Sequence, residues 1–100
     1  MAMTIEIEIH SKAGCPHCDT AKAYLAERRI PYTEHRHDND AERQAFYDSL
    51  GLIGTARTVP QVIAWITYAD GEREMLRIGG ARELQASGLD SLFYQAGTAP

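Results

Sequence analysis

The sequence predicts a single α/β domain built on a four-stranded mixed sheet with helices on both faces. Two observations carry this. The run Thr-Ile-Glu-Ile-Glu-Ile-His at residues 4–10 alternates apolar and polar side chains. A short loop, a helical pattern and a second extended stretch follow it, which together make a right-handed βαβ unit. Residues 61–68 are the most strand-like run in the chain, and they return through Asp70-Gly71, a hairpin signal, to a partner strand at 73–78. The element order is βαβ followed by αββα.

The elements follow in turn. Ile5, Ile7 and Ile9 place β-branched residues on one face of the first strand. Residues 11–14 are a loop ending in Gly14, and Pro16 suits the first helical turn, where a backbone N–H has no partner to lose. Residues 16–29 form a helix, with Ala21, Tyr24, Leu25 and Arg28 at helical spacing and Ile30-Pro31 as the stop. Residues 32–36 are a short polar strand. Asn39 or Asp40 caps a second helix with Glu42 in its first turn, apolar marks at Ala45, Phe46 and Leu50, and Gly51 at its end. Residues 52–58 are loop. Gly79-Gly80 breaks the last strand. A C-terminal helix follows over 81–87 and 89–95, interrupted at Gly88, with Leu84, Leu89, Leu92 and Phe93 as its apolar positions.

The bulk numbers narrow the function. One hundred residues make one domain over 1–100, with a tail expected to fray at about 96–100. A formal charge of −4 argues against a nucleic-acid footprint. No apolar run reaches membrane-spanning length. The N-terminus enters a strand directly and carries acids, unlike a signal peptide. With two cysteines there is no disulfide framework of a secreted miniprotein, and a reducing, cytoplasmic setting is expected.

Those cysteines are Cys15 and Cys18, in Cys-Pro-His-Cys at a strand-to-helix junction. This reads as a thiol–disulfide redox pair. Cys15 stands where an N-cap residue stands, so the free N–H groups and positive end of the helix favour its thiolate. Lys12 lies three residues earlier, and His17 lies inside the motif. Cys18, one turn further in, is less accessible. Cys15 is then the attacking thiol and Cys18 the resolving one. A structural zinc site needs four ligands, typically two such pairs, and only one pair exists, although His10, His17, His35 and His37 are available to complete a set. His35 and His37 alternate on a polar strand and are expected to face solvent together. Thr58-Val59-Pro60 is a second signal. A proline entering a strand is tolerated at its first residue, and a turn there exposes the Val59 N–H and C=O to a peptide-like substrate.

With these residues in hand, the chain resembles a dithiol glutaredoxin of the thioredoxin-fold superfamily. The resemblance rests on Cys15-Pro16-His17-Cys18, Thr58-Val59-Pro60-Gln61-Val62 and Ile78-Gly79-Gly80, in the family's order, and it covers nearly the whole chain. It implies a sheet in the order 2-1-3-4 with three main helices. It also implies a monomer that reduces protein disulfides and glutathione mixed disulfides, with glutathione as co-substrate and no bound cofactor or metal. Residue by residue, Lys12 is expected to meet the glycyl carboxylate of glutathione. Thr58 and Val59 precede the family's cis-proline, Pro60, and the Val59 backbone pairs with the cysteinyl part. Gly79 and Gly80 let the backbone approach the γ-glutamyl end.

Three departures stand out. His17 replaces the commoner Tyr. The same Cys-Pro-His-Cys occurs in periplasmic disulfide oxidases, which implies a more oxidising couple; a potential no higher than that of a His17→Tyr variant contradicts this. Arg82 stands where an Asp usually accepts from the γ-glutamyl ammonium. The hairpin over 64–77 is longer than expected. Two alternatives keep the Cys pair. One is a redoxin reduced by thioredoxin reductase, for instance a donor to ribonucleotide reductase. The other is an iron–sulfur carrier, against which Pro16 argues, since cluster-binding relatives generally have a small residue there.

Overall fold

Alternate isoleucines make strand β1, Thr4–Ser11, the centre of the sheet. Ile5, Ile7 and Ile9 are all buried. The computed structural model describes residues 3–89. Over these, β1 runs parallel to β2 (Tyr32–Arg36) and antiparallel to β3 (Gln61–Thr67), which pairs antiparallel with β4 (Arg73–Gly79), giving the order β2-β1-β3-β4. This is the mixed sheet and strand order expected.

Helix α1 (Pro16–Glu27) and helix α3 (Ala81–Ala86) cover one face. Ala21, Tyr24, Leu25 and Leu84 meet Ile5, Ile7, Ile9, Val62, Ala64 and Ile66 there. Each such aliphatic side chain gains about 1.5–3 kcal/mol from leaving water. Helix α2 (Asp40–Ser49) lies on the opposite face, where its Phe46 ring stacks on His10 of β1 at 4.1 Å between centroids. A thioredoxin-like α/β arrangement results, with three helices among the described residues.

Several boundaries differ from expectation for local reasons. Helix α1 stops at Glu27, two residues early. Arg29 takes a left-handed conformation (φ 57°), and its N–H donates to Ala26 O while Ile30 N–H donates to Leu25 O. That is a Schellman closure built on arginine, so no glycine announced it. In α2 the cap is Asn39, which accepts from Glu42 N–H at 3.0 Å, and Gly51 ends the helix (φ 69°) as expected. Its buried residue is Tyr47, whereas Ala45 is exposed. The loop at 52–58 contains a 3₁₀ turn, Gly54–Ala56. Gly79 is the last residue of β4, one beyond the expected end at 78, and the strand stops before Gly80. The second half of the C-terminal helix, with Leu92 and Phe93, and the tail lie outside the described residues. No described helix is long and apolar enough to cross a membrane.

Candidate active site

Cys15 is the N-cap of α1, with extended backbone, and Pro16 opens the helix. Cys15 and Cys18 are joined as a disulfide with Cα atoms 5.2 Å apart. The Cys15 Sγ accepts the Cys18 N–H at 3.2 Å. This free first-turn donor is the kind that stabilises a thiolate once the pair is reduced. Both cysteines are buried, Cys18 almost completely at 1% exposure against 7% for Cys15. Cys18 is thus the less accessible of the two, as expected.

The loop before Cys15 is fastened from β2 and the two residues that follow it. His37 N–H donates to Ser11 O at 2.8 Å, and Ala13 N–H donates to Asp38 Oδ1 at 2.7 Å. The buried Ser11 hydroxyl donates to Glu34 Oε2 at 2.6 Å, and Lys22 of α1 reaches the same carboxylate at 3.0 Å. The Ser11 and Lys22 bonds hold the Glu34 carboxyl below its ordinary range. Asp38 is likewise held low by Arg36 and by the Ala13 N–H.

Facing this loop, the Val59–Pro60 peptide bond is cis. The Val59 carbonyl oxygen lies 3.8 Å from Cys15 Sγ. Gln61, buried at the start of β3, supports the turn by donating from Nε2 to Thr58 O at 2.9 Å. Among the described residues the Val59 N–H has no hydrogen-bond partner, so it is available to an extended chain laid beside it.

Two grooves meet at Thr58 and Val59. One, of about 420 Å³, is bordered by His17, Pro60, Gly80 and Arg82. The other, of about 300 Å³, is bordered by Lys12, Arg43, Tyr47 and Arg57. Lys12, His17, Thr58, Val59, Pro60, Gly80 and Arg82 thus line these two grooves, which share Val59, whose carbonyl approaches Cys15. Gly79 is set back. It is buried, with φ 115°, and a Cβ on it would lie 3.1 Å from the Glu83 side chain. Glu83 folds back to accept the Gly80 N–H at 2.7 Å. It is therefore engaged through one carboxylate oxygen, and both Glu83 and Arg82 are exposed at that end. Arg57 and Tyr47 are site-bordering residues that sequence reasoning missed. Arg57 directly precedes Thr58-Val59-Pro60, a position that could have marked it. It is held by Asp48 and by Gln44 Oε1, the latter at 2.9 Å.

The histidines arrange differently from expectation. His35 and His37 do not simply face solvent; both rings stack against His10, and His37 also stacks on Phe46. Among the described residues no group of three or more His, Cys, Asp or Glu side chains is placed to hold a metal ion.

Comparison with known proteins agrees with this geometry. The glutaredoxin family model matches residues 7–65. The crystal structure of glutaredoxin 1 from Francisella tularensis, complexed with cacodylate, is similar at 32% identity and a TM-score of 0.68, over 91% of this chain and 99% of that one. The solution structure of glutaredoxin from Brucella melitensis shares the fold at 24% identity and a TM-score of 0.58, over 97% and 95% of the two chains. A buckwheat glutaredoxin–glutathione complex shares it at 21% identity and a TM-score of 0.63, over 96% and 83%. No curated protein sequence matches.

Proposed function

The chain belongs to the glutaredoxin family and is a thiol–disulfide oxidoreductase, and we propose that glutathione is its co-substrate. The observation that carries this is the juxtaposition at Val59. A backbone N–H without a partner and a carbonyl 3.8 Å from Cys15 Sγ lie between two grooves, one lined in part by Lys12 and the other by Arg82 beside Glu83. A short extended peptide with a central sulfur and a carboxylate at each end fits that layout. Extended backbone pairs with the Val59 edge as a strand would, and the carboxylates meet Lys12 and Arg82.

The chemistry follows from the placement of the two sulfurs. The Cys15 thiolate attacks the glutathionyl sulfur of a mixed disulfide. The S–S bond breaks, the target leaves as thiolate, and Cys15 carries glutathione. A second glutathione thiolate then attacks that sulfur, releasing oxidised glutathione and restoring the Cys15 thiolate. Alternatively, the Cys18 thiolate attacks Cys15 Sγ, releases glutathione and closes the Cys15–Cys18 disulfide. Two glutathione molecules reopen it, leaving as one disulfide. Each route moves two electrons from glutathione to the target.

One observation favours thioredoxin reductase as reductant instead. Glu83 is tied to the Gly80 N–H and Arg82 is cationic, so a γ-glutamyl ammonium finds a weak partner at that end. The test is turnover of a small glutathione mixed disulfide with glutathione and glutathione reductase, on wild type and Cys18→Ser. Turnover retained in Cys18→Ser is expected. Turnover in neither protein, with reduction by thioredoxin reductase, overturns the proposal.

A further inference from the structure

We infer that His10, His35 and His37, stacked with Phe46 above the carboxylate of Glu8, form an acid-released latch that fastens β2 and α2 to the active-site loop. The proposal stands whichever reductant serves the enzyme. His10 is 8% exposed. Its ring lies 4.1 Å from Phe46, 4.9 Å from His35 and 5.1 Å from His37, centroid to centroid, with planes within 18° of parallel. His10 Nδ1 and His37 Nε2 are 2.8 Å apart. One nitrogen must donate and the other accept, so the bond survives one proton on the pair but not two.

The charges around the cluster set its proton capacity. From β1, Glu8 approaches His10 Nε2 at 3.5 Å and His35 Nε2 at 3.4 Å. Both nitrogens are buried without a hydrogen-bond partner. From β3, the Trp65 indole N–H donates to the same carboxylate at 3.0 Å and weakens it as a proton-attracting group. From α2, Glu42 acts favourably on a charged His37 and Arg43 unfavourably. Arg43 is fixed at that place, donating to His37 O at 2.9 Å and to Asp40 at 2.8 Å. One carboxylate therefore balances one imidazolium. A second proton meets stacked like charges at about 5 Å, beside the buried His10 ring.

The cluster adjoins the site through the backbone. His10 precedes Ser11, whose carbonyl accepts the His37 N–H. Asp38, next to His37, holds the Ala13 N–H. Lys12 and Cys15 ride on this loop. Burial first, and the neighbouring imidazoles second, hold His10 and His37 below the ordinary imidazole range, although Glu8 pulls His10 back part of the way. A histidine with a lowered folded value contributes stability that is complete above the unfolded value of about 6.5, and loses it as pH falls through the folded values. The latch is therefore closed at neutral pH and opens in mild acid.

The test is hydrogen exchange at the Ala13 and His37 amides from pH 7.5 to 5, corrected for intrinsic exchange, together with NMR titration of the imidazoles in the oxidised wild type. Each proton taken up on opening raises the opening constant about tenfold per pH unit in the titrating range. Expected are titrations of His10 and His37 below the ordinary value, coupled to one another, with loop protection falling over the same range. In His37→Gln the loop's pH dependence becomes shallower by about one proton. Independent titration of the wild-type rings at the ordinary value overturns the latch, as does an unchanged pH dependence in a folded His37→Gln. The wild-type titration decides the matter even where the variant does not fold.

Discussion

The two faces of the sheet are built from different chemistry. Toward α1 and α3, the strands present Ile5, Ile7, Ile9, Val62, Ala64 and Ile66 to Ala21, Leu25 and Leu84, with no charge among them. Toward α2 they present Glu8, His10 and Trp65, with His35, His37 and Phe46 alongside. Transfer from water dominates on the first face and is insensitive to pH. Hydrogen bonds and titratable groups hold the second, so its strength depends on proton activity. The disulfide borrows from both. Cys18 is buried on α1, beside the apolar face, while the loop reaching Cys15 is fastened from the end of β2 that carries the histidines.

The sharpest contrast comes from one truncation on each face. Leu25→Ala empties a fully buried position in α1 and should cost about 2–5 kcal/mol, by the same amount at pH 7 and pH 5 in denaturant unfolding. A strongly pH-dependent penalty would erase the distinction. Trp65→Phe removes the indole N–H bond to Glu8 at 3.0 Å and should cost about 1 kcal/mol at neutral pH. Burial pushes the Glu8 carboxyl up, but the Trp65 N–H bond and the neighbouring imidazoles of His10 and His35 outweigh it and hold the group below its ordinary range. A carboxyl with a lowered folded value contributes stability above its unfolded value of about 4.3, and loses it as pH falls through the folded value. The Trp65→Phe penalty should therefore shrink below about pH 4; a penalty constant with pH would place Trp65 among the purely apolar contacts.

The apolar face was the legible one. Period-two isoleucines, the strand-like run at 61–68 and the Asp70-Gly71 turn are local signals, and the sheet order emerged as expected. So did the placing of Cys15 as a helix cap before Pro16. What escaped depends on contacts between distant residues or on exceptions to residue preference. His10 and His37 are 27 positions apart, and no local pattern joins them; His35 and His37 read as solvent-facing because their strand is polar. Arg29 closes α1 in a conformation usually left to glycine. In α2, helical spacing suggested Ala45, yet the helix buries Tyr47, beside Arg57 at the groove. Of the candidate site, the motif residues were visible one by one. Their convergence on Val59 required the fold.

Cys15 as the sulfur that meets substrate, in a groove that holds glutathione, is tested most directly by trapping. Reduced Cys18→Ser and Cys15→Ser are each exposed to oxidised glutathione near neutral pH, and the intact proteins are weighed by mass spectrometry with the modified peptide mapped. The expected result is rapid addition of one glutathione at Cys15 in Cys18→Ser and little or none in Cys15→Ser. Equal or faster addition at Cys18, or a Cys15 that takes up glutathione no faster than an unstructured thiol, would contradict it.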